Sequence, residues 1–282
     1  MNPCTTRAVE ATVLAALLAA SAPAQTGASK PIQDNSFLLE EAYNQEEGVV
    51  QHINQFARDW RTGEWTYTFT QEWPAPRQTH QLSYTLLDQR VEGDRGVSTG
   101  FGDVALNYRY QLAGSGETRF AFAPRLSLLL PTGDQRKGLG SGGTGLQADL
   151  PVSLVLSDRW VAHSNAGMTE TFSARNERGD RADTRAWNLG QSLVFHARPR
   201  FDLMLEFLWV RSEAVAAPGR ARASTAALVN PGVRWAHDFA SGLQIVPGVA
   251  LPIGVGPSRG QRSVLLYLSF EHPFRRVSRR SE

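Results

Sequence analysis

Residues 64–73 read EWTYTFTQEW. Trp65, Tyr67, Phe69 and Trp73 fall on one side of an extended chain, interrupted only by Gln71, while Thr66, Thr68, Thr70 and Glu72 fall on the other. In a sheet packed on a soluble core the aromatics turn inward and the threonines meet water. In a sheet closed around an aqueous space within lipid, the same alternation sends the aromatics to lipid and the threonines to the lumen. The rest of the chain decides between the two.

The 282-residue chain is 41% hydrophobic and 20% charged, with a mean hydropathy below zero. Those averages suit a soluble protein, but also a barrel whose strands show lipid one face only. A net charge of +2, with the basic residues spread over loops, gives no reason to expect a nucleic-acid partner. The start, MNPCTTR followed by the apolar run Ala11–Ala20 and SAPAQ, predicts a signal peptide over residues 1–24 with cleavage before Gln25. That run is shorter than the about 20 residues a membrane-spanning helix needs. The single cysteine, Cys4, precedes it and leaves with the signal, so the mature chain holds no thiol for a disulfide or a cysteine zinc site. Beyond residue 24 no apolar stretch reaches helical spanning length, so any crossing of a membrane is made by strands.

Residues 31–47, PIQDNSFLLEEAYNQEE, do not alternate. Asp34, Asn35 and Ser36 offer a helix start, and about two or three helical turns are predicted after them, in an acidic segment carrying Glu40, Glu41, Glu46 and Glu47. From Gly48 on, about twelve strands are predicted, near 49–57, 64–73, 79–88, 101–112, 118–130, 144–156, 160–173, 184–196, 200–211, 225–237, 243–252 and 261–274. After the second strand the connections alternate in length: PAPRQ, AGSGE, SDR, ARPR and DFAS are short, whereas DQRVEGDRGVST, PTGDQRKGLGSGG, SARNERGDRAD, VRSEAVAAPGRARAS and IGVGPSRGQ are long. Only RDWRTG, after the first strand, breaks the rule. Outer-membrane barrels have short periplasmic turns and longer external loops, and a soluble sandwich has no reason to sort its loops by parity. The aromatics of EWTYTFTQEW therefore face lipid. Pro124, Pro151, Pro231 and Pro247 lie within predicted strands, where each removes a ladder donor.

This register assigns the lumen Asp103, Asn107, Arg109, Arg119, Arg125, Gln147, Asp149, Asn188, Asp202, Glu206, Asn230 and Arg234. Charges of both signs suit a wet interior and are costly against lipid. The tryptophans fall toward strand ends, where interface girdles sit. The acidic segment, through Glu40, Glu41, Glu46 and Glu47, complements the lumen arginines and is expected to act as a plug.

At this point the chain resembles the outer-membrane "transporter" family of the MetA-pathway phenol-degradation type. The stretches that carry the resemblance are IQDNSFLLEEAYNQEEGVVQHI (32–53), GFGDVALNYRYQL (100–112), FAPRLSLLLPTGDQRKGLGSGGTGLQADLPVS (122–153) and LSFEHPF (268–274). The resemblance implies an outer-membrane β-barrel linked to uptake of hydrophobic or aromatic compounds. It also implies contact with the barrel assembly machinery through a terminal aromatic, here Phe274, although RRVSRRSE follows it.

Reaction chemistry finds little support. GLGSGG (138–143) matches a dinucleotide-binding spacing, but a strand containing Pro151 follows where a helix N-terminus is needed. In AHSNAG (162–167), His163 and Ser164 are adjacent, so a regular strand points them to opposite faces and the hydroxyl cannot reach its base. The six histidines show no ligand spacing. No catalytic, metal-binding or cofactor-binding residues are assigned.

The sequence thus predicts an all-β fold, a transmembrane antiparallel barrel of about twelve strands. Its domains are a signal peptide (1–24), an acidic N-terminal segment (25–47), the barrel (48–274) and a basic tail (275–282). It is placed in the outer membrane of a Gram-negative bacterium, surrounded by outer-membrane lipid, as a non-enzymatic channel passing a small-molecule solute, with loops 132–143 and 212–224 forming the mouth. A structural or surface-interaction barrel with a closed lumen, or a lipid-modifying enzyme, are the other readings.

Overall fold

Strands that alternate polar and apolar residues satisfy their backbone only by pairing, and a sheet without edges satisfies all of it. The computed structural model describes residues 32–93 and 96–274, and from Val49 on these build one closed antiparallel sheet. β1 (Val49–Asp59) pairs on one side with β2 (Trp65–Pro74). On the other side it pairs with the last strand, β17 (Ser263–Pro273), from Val49 opposite Pro273 to Asp59 opposite Ser263. That seam closes a barrel of twelve spans.

Five of the spans are broken in two. β3 (His80–Gly93) is followed by β4 (Gly96–Phe101) with β5 (Val104–Tyr110), then β6 (Phe120–Phe122) with β7 (Arg125–Leu130), and β8 (Gly145–Asp149) with β9 (Val152–Ser157). β10 (Trp160–Arg175), β11 (Arg181–Arg198) and β12 (Phe201–Ala217) run unbroken. β13 (Arg220–Trp235) with β14 (His237–Asp238), and β15 (Gln244–Ala250) with β16 (Ile253–Gly254), lead to β17. The breaks explain the prolines. Pro124 and Pro151 sit in the gaps between segments, where Ala123 donates to the Pro151 carbonyl of the next span. Pro231 lies opposite the Leu251–Pro252 break, and Pro247 lies where the β13–β15 ladder ends. Each proline falls where no ladder donor is called for.

The barrel is inside-out. Leu126 is 62% and Leu189 53% exposed, while Glu206, Asn230 and Ser192 are fully buried. A continuous exposed apolar wall around a polar interior is the arrangement of a barrel in lipid. In the opening stretch, Trp65 packs on Phe56, and both Phe69 and Trp73 pack on Tyr84, along the outer wall. Glu72 points inward and accepts from Gln81.

Three expectations change. Residues 32–47 form no helix: they are irregular, with bends at residues 37–39 and at Ala42. Loop 212–224 is mostly strand, because β12 and β13 continue past the wall and meet in a tight turn after Ala217. The polar alternation there reads as loop because both of its faces meet water. The β10–β11 connection shortens in the same way. The predicted signal peptide and basic tail lie outside the described residues.

Candidate functional site

The lumen at the short-turn end is occupied by the chain's own residues 32–47, held by their backbone. Leu38 donates its amide to Glu206 (2.9 Å), Glu40 to Asn165 Oδ1 (2.7 Å), Ala42 to Ser153 Oγ (2.8 Å) and Asn44 to Gln111 Oε1 (2.9 Å). Every second amide in this run is taken by a wall side chain. This is the hydrogen bonding of a strand, supplied by side chains instead of a ladder, and it is why the segment does not coil.

Two arginines take the carbonyls. Arg234, 1% exposed, reaches the carbonyls of Ile32 (3.2 Å), Asp34 (2.6 Å) and Asn35 (3.0 Å) while its Nε donates to Asp202 at 2.9 Å. Arg109 reaches those of Glu41 (3.1 Å) and Tyr43 (2.5 Å). Gln111 and Asn165 donate to Ala42 and Glu40, and Gln55 to Phe37. Asp34 is itself buried and accepts from Gln51 and from the Tyr267 hydroxyl. A guanidinium with several fixed donors suits this role better than a lysine point charge.

Apolar anchors complete the seat. Ile32 and Phe37 join Ile53, Val194, Met204, Val246, Leu265 and Tyr267 in one cluster inside the barrel, with Phe37 edge-on to Tyr267 at 5.5 Å between centroids. The wall makes room with glycine. A Cβ on Gly190 would stand 2.1 Å from Leu39, and one on Gly232 or Gly248 would stand 2.5 Å from the Phe37 ring.

Eleven of the twelve residues assigned to the lumen by register turn inward, and Arg119 does not: it is exposed beside β6 at a short turn. Arg125 pairs with Glu40 at 2.8 Å and donates to Gln147, which bonds Thr169. Asn188 donates to Asp149, Asn230 to Glu206, and Asn107 to Ser83. Asp103 sits at the other end and grips loop 131–144 through Gly133 and Ser141. In that loop Leu139 is buried and its carbonyl accepts from Gln89. Of the four plug glutamates, Glu40 makes the ion pair and Glu41 is buried under Arg109, whereas Glu46 and Glu47 are exposed in the turn before β1.

His163 finds a hydroxyl, but not that of Ser164. Its Nδ1 lies 2.7 Å from Ser153 Oγ, across the β9–β10 pair, and Ser164 points outward to Gln191. Ser153 is fully buried and also accepts from Ala42, so the pair serves to hold the segment. The anchoring set of Ser153, Asn165, Gln111 and Gln55 was not assigned from sequence. Inward glycines in mid-strand, at 190, 232 and 248, were the available signal, since they mark a close approach of another part of the chain.

No family model matches the chain, and no curated protein sequence does. Among solved structures, it is similar to an outer membrane channel from Pseudomonas putida F1, with a TM-score of 0.56 at 13% identity over 86% of this chain and 99% of that one. It is also similar to the NanC porin, with a TM-score of 0.50 at 9% identity over 78% of this chain and 98% of that one. The chain is thus a transmembrane β-barrel with the fold of outer-membrane channels and porins.

Proposed function

We propose that the protein is an outer-membrane channel, without enzymatic activity or cofactor, for passive passage of small hydrophobic or aromatic solutes, with residues 32–47 as its gate. The observation that carries the gate is the mode of attachment. The segment is bound by reversible hydrogen bonds from the wall, not by a ladder that would make it part of the barrel. The solute class follows from the family resemblance and agrees with the apolar patch on the inner wall around Tyr267. Bilayer recordings test the reading. The mature chain should conduct weakly, and deletion of residues 25–47 should raise conductance several-fold. No conductance from either form would favour a structural barrel.

A further inference from the structure

At the loop end β1 and β2 stop at Asp59 and Trp65, whereas β3 runs on past Arg90, the partner of Trp65, to Gly93, which leaves a notch in the barrel rim. Over this notch lies a cavity of 570 Å³, walled by the Asp59–Trp65 turn, Arg90 and Val91 of β3, and the stretch from Pro257 to Gln261 before β17. Its size lies within the roughly 300–1,000 Å³ range of small-ligand sites.

The charges in it are unevenly committed. Asp59 accepts from the amides of Arg61 (2.8 Å) and Thr62 (2.9 Å), and Glu64 accepts from the Glu92 amide (2.8 Å) and the Thr62 hydroxyl (3.2 Å). Both carboxylates are thus occupied in shaping the turn. Arg61, Arg90 and Arg259 also line the cavity; the Arg61 charge acts on nearby Asp59, but none of the three guanidiniums makes a hydrogen bond or close ion pair among the described residues. Three planar donor forks with free N–H groups, against two engaged carboxylates, leave a surplus suited to one carboxylate anion. The rest of the wall is mixed: Thr62, Thr66, Ser258, Gln261 and Ser263 alternate with Ala57, Val91, Pro257 and Trp65, the last standing opposite Arg90 across the β2–β3 pair.

We infer that this rim cavity binds a small organic monoanion, a carboxylate, held by Arg61, Arg90 and Arg259. The site lies outside the lumen seat of residues 32–47 and binds its ligand whether or not the barrel conducts. Binding in detergent therefore tests it separately from permeation.

The experiment is calorimetric titration of the refolded mature chain with cyclohexanecarboxylate, cyclohexanol and inorganic phosphate. The carboxylate should bind, the alcohol should bind at least tenfold more weakly, and 1 M salt should weaken the carboxylate, as expected for partly exposed charges. The triple variant R61Q/R90Q/R259Q should weaken binding by about tenfold or more, three exposed charge contacts being removed together. R259Q alone, in an external loop that does not bear on folding, should weaken it by about threefold. Equal affinity for acid and alcohol, or R259Q and the triple variant both binding like the native chain, overturns the assignment. Phosphate binding as tightly as the carboxylate overturns it too, and points to lipid headgroups as the ligand.

Discussion

Replacing Gly248 with alanine should drive residues 32–47 out of the lumen. The backbone at Gly248 is ordinary strand, so alanine suits it; only the space is missing. The new Cβ would lie 2.5 Å from Cε1 and 2.8 Å from Cζ of Phe37, where unstrained carbon contacts sit at about 3.5–4.0 Å. The ring has no retreat, because its other edge already lies against Gly232 and it packs in a T-shaped contact on Tyr267. Overpacking of this kind costs about 1–3 kcal/mol. Phe37 is 3% exposed, and its burial stabilises the seat by roughly 1.5–3 kcal/mol, so the collision offsets much of what the anchor contributes. At 1.4 kcal/mol per factor of ten, the displaced fraction should rise roughly five- to hundredfold. Single-channel recording of G248A should show this as a higher open probability with unchanged open conductance. The variant F37A should also open more readily, but adding G248A to it should change little further, since the colliding ring is gone; such non-additivity is the mark of direct contact. An open probability that matches the native channel, or an equal increment in the F37A background, refutes the packing argument.

Arg234→Gln should open the channel and also lower thermal stability. It leaves Asp202 and three backbone carbonyls short of a buried partner, a loss of about 3–5 kcal/mol, readable by the temperature at which the unboiled gel mobility is lost. Glu40→Gln should open the channel less than Arg234→Gln, because it weakens the pairing with Arg125 (2.8 Å) and the looser one with Arg109 (3.7 Å) but removes none of the backbone bonds of the segment. A large rise in conductance from E40Q would mean that charge, not backbone, holds the gate. Asp103→Ala should free loop 131–144 by removing bonds to Gly133 and Ser141 that are together worth about 1.5–3 kcal/mol or more. Trypsin should then cut faster after Arg136 or Lys137 in refolded protein.

Barrel and register were legible because period two survives in any strand with unlike faces. The interruptions were not. RFAFAPRLSLLL reads as one alternating run that places Arg119 on the same face as Arg125. The inward phase survives the break at Ala123–Pro124, since Ala121 and Ala123 are buried like Ser127 while Phe120 and Leu126 are exposed; it fails at the other end, where the turn before Phe120 ends the strand. Arg119 falls before β6 and outside the lumen. The helix predicted after Asp34 failed for a different reason. FLLEEAYNQEE has helical propensity, but propensity is worth only tenths of a kcal/mol per residue, and the wall offers a partner to alternate amides from Leu38 to Asn44. Those partners sit on strands far away in sequence, at Glu206, Asn165, Ser153 and Gln111. No local reading of residues 31–47 could have placed them.

A gate held by its backbone opens differently from one held by charge. Even ten of these hydrogen bonds, at a net of about 0.5–1.5 kcal/mol each, total roughly 5–15 kcal/mol, enough to keep the lumen closed most of the time. That net value applies only if water replaces every bond as it breaks. In a dry lumen each orphaned amide or carboxylate would cost several kcal/mol more. Release therefore cannot run bond by bond from a dry, intact seat: water must enter first. Its way in is barred at Phe37 and Leu39, which cover the apolar inner wall at Gly190, Gly232 and Gly248. Under the proposed gating, loosening those two anchors is the step that lets water reach the seat, after which each hydrogen bond exchanges at small net cost. The side chains that block the lumen and those that hold the segment are thus different sets. In the proposed channel the open state is then controlled by the smaller set, two apolar residues against three glycines.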